Sequence, residues 1–175
     1  MDQILFQLQD AITRSIKDLD VTSMQCKRSS DEDKWSIEQI VEHLIMTYCA
    51  TATALEARLA KGAPTRTRPS VAQRLAQFTI TQLGLFPSGR QAPVGVMPVP
   101  TQQHHSGSEL SKIVHERLAR MDDLLGETRA MFGNKDAVNH MILGPLTVRQ
   151  WRRFHLIHGL HHVKQIQSIR KANSL

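Results

Sequence analysis

The chain has 175 residues and a formal net charge of +6. Its hydrophobic fraction of 41% is ordinary for a soluble globular protein. This length suffices for one domain with a real core, which we expect to span residues 1–175. No run approaches the ~20 continuous apolar residues of a membrane span, and the scattered basic residues lack aromatic stacking partners, so the sequence argues against membrane and nucleic-acid roles.

Hydrophobic residues recur at helical spacing along most of the chain, and alternation typical of strands is nearly absent, so the sequence predicts an all-α protein. The first long helix is predicted over residues 2–19. The second begins at Ser36, a good N-cap, with Gln39 at the spacing of a capping box. It should end near Gly62, because glycine and a following proline terminate helices.

Residues 61–107 are less regular than their surroundings. A short helix is predicted over residues 70–83, followed by a stretch rich in proline and glycine that has the composition of a loop. Long loops in compact domains often cover functional sites. The third long helix is predicted over residues 108–131.

The fourth long helix begins at Thr147, where Gln150 again has capping-box spacing, and runs to about Lys171. Four long amphipathic helices with one short helix inserted predict a four-helix bundle. The long connection between the second and third long helices suits a crossover, and we expect up-up-down-down ordering.

The fourth helix carries a dense histidine run. His158 and His162 are four residues apart, so both imidazoles lie on one face and can bind one ion. They occupy positions where core residues belong, and burying unpaired imidazoles costs free energy. The spacing alone leaves two interpretations open: a metal site, or hydrogen-bonded core histidines.

A metal centre with an open position usually has three protein ligands. His43 is the natural third candidate, because it lies beside the apolar stripe of the second helix. His155 could reach the same face as His158, whereas His161 is rotated by about 100° from His162. The remaining histidines are weaker candidates, in loops, a turn or on a surface: His104, His105, His115 and His140.

Two segments resemble a known family. Residues 34–44 (KWSIEQIVEHL) resemble the helix-two motif of DinB-like proteins, in which a Trp-Ser start precedes a metal-binding histidine. Residues 139–147 (NHMILGPLT), then Trp151, then residues 158–166 (HGLHHVKQI) are similar to the second half of that pattern, closest to the YfiT-like branch. The order and spacing cover nearly the whole chain.

The resemblance implies an up-up-down-down four-helix bundle that is often dimeric and holds a divalent metal. Carried onto this sequence, the metal ligands are His43, His158 and His162. It also implies that a proline-rich segment, residues 90–100 here, covers the site. Three imidazoles suit several transition metals, of which zinc and nickel are our first expectations.

Such a site can activate either a bound water or a thiolate. Hydrolysis normally adds a carboxylate base, but Glu38 and Glu42 are expected to be surface charges. The absence of a clear base favours a thiol S-transferase acting with a low-molecular-weight thiol, whose carboxylates could be held by Arg90, Arg152 or Lys164. A metal-dependent hydrolase, a non-catalytic metal-binding or stress-related protein, and a helical interaction module remain alternatives, and no catalytic residue is assigned.

The two cysteines, Cys26 and Cys49, do not provide a disulfide framework. Because the first residues also lack a basic stretch followed by an apolar run, we expect a cytoplasmic protein with reduced thiols. Cys49 is expected to be a buried structural thiol.

Overall fold

A computed structural model describes residues 1–28, 34–86, 92–99, 102–135 and 137–175. Six α-helices, one 3₁₀ turn and one two-stranded hairpin are present within these residues. In chain order they are α1 (Gln3–Ile16), α2 (Val21–Met24), α3 (Ile37–Ala60), α4 (Val71–Thr81), the 3₁₀ turn (Val94–Val96), α5 (Gly107–Phe132), β1 (Val138–His140), β2 (Gly144–Leu146) and α6 (Val148–Ala172).

The directions of the long helices follow from hydrogen bonds between their ends. The Gly107 N–H at the start of α5 donates to the carbonyl of Leu19, just after α1. Arg170, near the end of α6, donates to the Asp18 carboxylate, also just after α1. Helix α1 is therefore antiparallel to α5 and parallel to α6.

The starts of α3 and α5 also meet, because the His105 N–H donates to the Glu38 carboxylate at 2.6 Å. Helices α3 and α5 are therefore parallel, and the four long helices run up-down-down-up. The expected up-up-down-down order was wrong. A long connection between the second and third long helices returns the chain along the bundle, and so joins parallel helices.

The all-α four-helix bundle is confirmed, as are the long crossover and its short helix α4. Local chemistry explains the helix starts. Ser36 and Thr147 each form a complete capping box, with Gln39 and Gln150 as predicted. Helix α5 follows a third box, made by Ser106 and Glu109, and begins at Gly107, one residue earlier than predicted.

The core lies between the four long helices, and two glycines allow close approach. A Cβ at Gly159 of α6 would lie 2.2 Å from Leu8 Cδ1, and a Cβ at Gly107 would lie 1.7 Å from the Ile16 carbonyl oxygen. These helices can therefore pack only with hydrogen at those positions.

Among the described residues, none of the helices has the length and apolarity needed to cross a membrane.

The β1–β2 hairpin was not predicted. It pairs Val138 with Leu146 and His140 with Gly144, and three-residue strands are too short to show alternation. The Gln77 side-chain amide on α4 donates to two hairpin carbonyls, those of Leu143 at 2.8 Å and Pro145 at 2.9 Å. These bonds fix α4 and the hairpin to each other beside α6.

Candidate metal centre

Three imidazoles meet between α3 and α6. His43 projects from α3, and His158 and His162 from α6, and each side chain is buried. The Nε2 atom of His158 lies 3.2 Å from Nε2 of His43 and 3.0 Å from Nε2 of His162. One ligand nitrogen from each ring lies within 4.8 Å of the other two. The structure thus brings together the three histidines that the sequence singled out.

Hydrogen bonds fix the tautomers of two of these rings. The Nδ1 atom of His43 lies 2.7 Å from the Val96 carbonyl oxygen, which can only accept, so this Nδ1 carries the hydrogen. His162 Nδ1 donates in the same way to Gln165 Oε1 at 2.8 Å. In the neutral rings, both Nε2 atoms therefore present bare lone pairs, which is the form that binds metal.

The third ring makes this arrangement unfavourable without a cation. His158 Nε2 can carry one hydrogen and donate it to only one of its two neighbours, so at least one N···N contact has no hydrogen bond, and both lack one if the hydrogen is on Nδ1. Its Nδ1 is buried without a hydrogen-bond partner among the described residues. A divalent ion held by the three Nε2 atoms would replace these unsatisfied contacts with coordination.

Burial keeps the cluster in the neutral state that coordination requires. It lowers the pKa of His43, lowers that of His158 well below its ordinary value, and lowers that of His162 to about 3. The neighbouring imidazoles add to the shifts of His158 and His162, because a second positive charge would be repelled.

The spacing also fits coordination. Zinc–nitrogen bonds of about 2.0–2.1 Å at tetrahedral angles place ligand nitrogens about 3.3 Å apart. The observed separations of 3.0 Å and 3.2 Å are close to this value. Coordination by all three rings would need only small side-chain adjustments.

The three rings open into a cavity of about 1130 Å³. Its wall is mostly apolar and aromatic, including Trp35, Phe86 and Phe154, and it carries positive charge from Arg28 and Lys34. None of the described residues that line it is acidic. The cavity is large enough for a small-molecule ligand.

His155 also lines the cavity but belongs to a separate polar group. It is fully buried, and its Nε2 lies 3.1 Å from the hydroxyl of Thr51, which itself donates to the Thr47 carbonyl. Tyr48 packs edge-on against the His155 ring, and its hydroxyl has no partner among the described residues. His155 therefore does not share the contacts of the three converging rings.

Glu38 is not the surface charge that we expected, since its side chain is only 2% exposed. It accepts hydrogen bonds from Gln25 at 2.5 Å, from His104 Nδ1 at 2.8 Å and from the His105 N–H at 2.6 Å. These contacts lower its pKa against the effect of burial, which by itself would raise it. The network joins the starts of α3 and α5, so His104 and His105 bind a carboxylate instead of the three-histidine cluster.

Glu42 and His105 also approach Glu38, within the range of a shared ion. The Glu38 oxygens are already hydrogen-bonded, so this second group is better explained as a structural clamp. Burial raises the pKa of the half-buried Glu42, and the nearby Glu38 carboxylate adds to the effect. Neither carboxylate lines the cavity, which removes both as a general base.

The described basic residues that the sequence suggested for binding a thiol's carboxylates do not line the cavity. Arg152 is buried and bonds Asp122 at 2.6 Å and 2.9 Å, while Lys164 lines a different groove, between α1 and α6. Arg90 lies outside the described residues, as do parts of the predicted covering segment 90–100. The described part of that segment does reach the site, through the Val96 carbonyl.

Three other residues discussed from the sequence, His115, His161 and Cys49, lie outside the three-histidine cluster. His115 is exposed and bonds Gln9, as expected for a surface residue. His161 accepts a bond of 3.2 Å from the Gln165 amide, so it touches the partner of His162 and not the convergence point. Cys49 is exposed, so the prediction of a buried thiol was wrong.

Sequence reasoning missed the groups that orient the ligands. Val96 contributes only a backbone carbonyl, which no side-chain pattern reveals. Gln165 follows His162 by three residues on the same helix, and that spacing could have identified it as a partner.

Comparisons with known proteins support the fold. The structure is similar to YfiT from Bacillus subtilis, described as a probable metal-dependent hydrolase with an unusual four-helix bundle topology. The TM-score is 0.59, and the match covers 98% of this chain and 85% of that one at 14% sequence identity, which shows a shared fold. No protein-family model matches the sequence. No curated protein matches it either.

Proposed function

We propose that this protein is a metal-dependent hydrolase of small acyl compounds, such as esters or amides, with His43, His158 and His162 holding a divalent ion. The observation that carries the proposal is the convergence of three buried, neutral imidazoles with unshared lone pairs at the wall of an apolar cavity. The fold shared with YfiT, itself described as a probable metal-dependent hydrolase, supports the same reaction class.

The chain's own residues would prepare the site in two ways. The Val96 carbonyl and the Gln165 amide oxygen hold the rings of His43 and His162 with Nε2 facing inward. The mostly apolar wall provides a low-polarity surrounding, which strengthens electrostatic interactions at the site. When bound, a divalent ion with an open position supplies a Lewis acid that lowers the pKa of water toward neutrality.

We choose hydrolysis over the thiol S-transferase reaction that the sequence favoured. The sequence favoured thiol transfer because no carboxylate base was evident, and none of the described residues lining the cavity is acidic. Hydrolysis is preferred because the shared fold is that of YfiT, described as a probable metal-dependent hydrolase, and because Arg152 and Lys164, suggested for holding a thiol, do not line the cavity. Three imidazoles suit zinc, nickel and other transition metals, so experiment must identify the ion. A homodimer, a cytoplasmic location and a single domain over residues 1–175 stay predictions; light scattering after size exclusion tests the first.

Elemental analysis of untagged protein tests the metal centre. We expect about one transition-metal ion per chain in the wild type and in His115→Ala, a matched surface control. We expect loss of the ion in His43→Ala and His158→Ala, with helical content checked by circular dichroism. Wild-type protein that stays metal-free after reconstitution with Zn²⁺ and with Ni²⁺ would refute the metal centre.

The reaction class needs a second measurement. Metal-loaded and chelated protein would be assayed with p-nitrophenyl esters and p-nitroanilides of increasing acyl size. We expect turnover that requires metal and is lost in His158→Ala. Stoichiometric metal without turnover of any of these substrates would contradict the hydrolase proposal and favour a metal-binding protein without catalysis.

A further inference from the structure

His140 lies in the wall of the metal-site cavity but takes no part in the three-histidine cluster. It is the last residue of β1, and its ring packs 5.5 Å from the Trp151 ring and 4.4 Å from the Phe154 ring. The aromatic contacts and the hairpin hold the imidazole in one position.

The hairpin turn also fixes its tautomer. His140 Nδ1 accepts hydrogen bonds of 3.1 Å from the backbone N–H groups of both Ile142 and Leu143. The Nδ1 lone pair is therefore engaged, and the neutral ring carries its hydrogen on Nε2. Burial lowers the pKa of His140 to about 4, so the ring stays neutral near pH 7.

The Nε2–H group makes no hydrogen bond with the described part of the chain, because the hydrogen bonds of His140 are made at Nδ1 and its other contacts are those of its ring with Trp151 and Phe154. Nor is it among the fully buried unpartnered atoms. It is thus a donor with a fixed orientation, accessible at the wall of a mostly apolar cavity. Because a protonated ring nitrogen has no lone pair available to accept a hydrogen bond, this N–H can bind only hydrogen-bond acceptors of a ligand.

We infer that His140 is a ligand-binding residue whose Nε2–H donates a hydrogen bond to a carbonyl or carboxylate oxygen of the molecule held in the cavity. The Phe154 ring contacts both the His140 ring, at 4.4 Å, and the His158 ring, at 5.5 Å. The substrate class is therefore an acyl compound whose second acceptor oxygen is separated from the reacting group by an apolar spacer that lies along Phe154. The reaction at the metal rests on the proposed function, whereas the binding of an acceptor oxygen does not.

Acetophenone and ethylbenzene make a suitable pair of probes, because they differ only in a carbonyl oxygen in place of two hydrogens. Both would be titrated into ¹⁵N-histidine-labelled full-length protein, with and without Zn²⁺, and followed by two-dimensional NMR. We expect wild type to bind acetophenone about 2- to 10-fold more tightly than ethylbenzene, the range of one net hydrogen bond. The ¹⁵N spectrum should show His140 protonated on Nε2, and this resonance should shift with acetophenone.

In His140→Phe, which keeps an aromatic ring but lacks the donor, the preference for acetophenone should disappear. His115→Phe, a surface control, should retain it. An unchanged preference in His140→Phe, or a wild-type spectrum with the hydrogen on Nδ1, would overturn the inference; the spectrum is informative even if the variant does not fold. Because binding is also measured without metal, failure of the hydrolase proposal leaves this result interpretable.

Discussion

Acidification should destabilise the metal-free protein, because buried imidazoles resist protonation in the folded state. Burial lowers the pKa of His155 to about 3 and that of His162 to about 3, from an ordinary value of 6.5. The unfolded chain binds protons at these positions below pH 6.5, and the folded chain does not. Stability is therefore fully present above pH 6.5 and falls as the pH drops below it.

The size of the effect follows from this difference in proton binding. Between pH 6.5 and pH 3, each such histidine costs about 1.4 kcal/mol per pH unit, so at pH 5.5 the two together remove about 3 kcal/mol. His43 and His158 shift in the same direction and add to the loss. Against a typical stability of about 5–15 kcal/mol, this is a large fraction.

Urea unfolding of chelated protein at pH 7.5, 6.5 and 5.5, followed by circular dichroism, measures the loss. With an m-value of about 1–3 kcal/mol/M, we expect the midpoint to fall by about 1–3 M between the highest and lowest pH. His155→Gln should reduce the loss of stability at pH 5.5 by about 1.4 kcal/mol, the contribution of one such histidine. His115→Gln, whose histidine is exposed, should leave the loss unchanged. A midpoint that is constant or rises on acidification would refute the reasoning.

Two further predictions concern packing and charge in the bundle. Gly159→Ala should lower the free energy of unfolding by about 1–3 kcal/mol, because its Cβ would lie 2.2 Å from Leu8 Cδ1. In a double-mutant cycle measured by urea unfolding, the variant with both Gly159→Ala and Leu8→Ala should lose less stability than the sum of the two single losses. Simple additivity would contradict the clash. Arg152→Met should cost about 3–5 kcal/mol, because it removes both hydrogen bonds that Arg152 donates to Oδ1 of the buried Asp122 carboxylate and leaves that charge unpaired. Adding Asp122→Leu should restore much of that stability, and a double variant as unstable as the single one would argue against an ionic cause.

Helix starts and the α6 ligand pair could be predicted because they depend on nearby residues. The boxes at Ser36 and Thr147 need only a side chain three residues away. His158 and His162 share a face because of helical geometry alone. The short hairpin escaped prediction because two three-residue strands give too little pattern to read.

The fate of the carboxylates and cations depended on packing. Glu38 looked like a surface charge because its partners lie in distant parts of the chain: His104 is 66 residues away, and the bond comes from the loop before α5. Arg152 was suggested as a ligand-binding residue, but it is buried and donates hydrogen bonds to Asp122 of α5. The residues next to Glu38 and Arg152 in the sequence do not predict either contact, because both partners lie far away in the chain.

The sequence by itself determined that the chain forms four long helices, where three of them begin, and that two imidazoles share one face of the last helix. Periodicity, capping and helical spacing are local properties, set within a few residues. Only the tertiary structure decided the up-down-down-up order, the approach of His43 to His158, and the tautomers fixed by Val96 and by the turn after His140. These depend on contacts between residues far apart in the chain or on backbone carbonyl and N–H groups, which every residue type shares and which therefore leave no signature in the sequence.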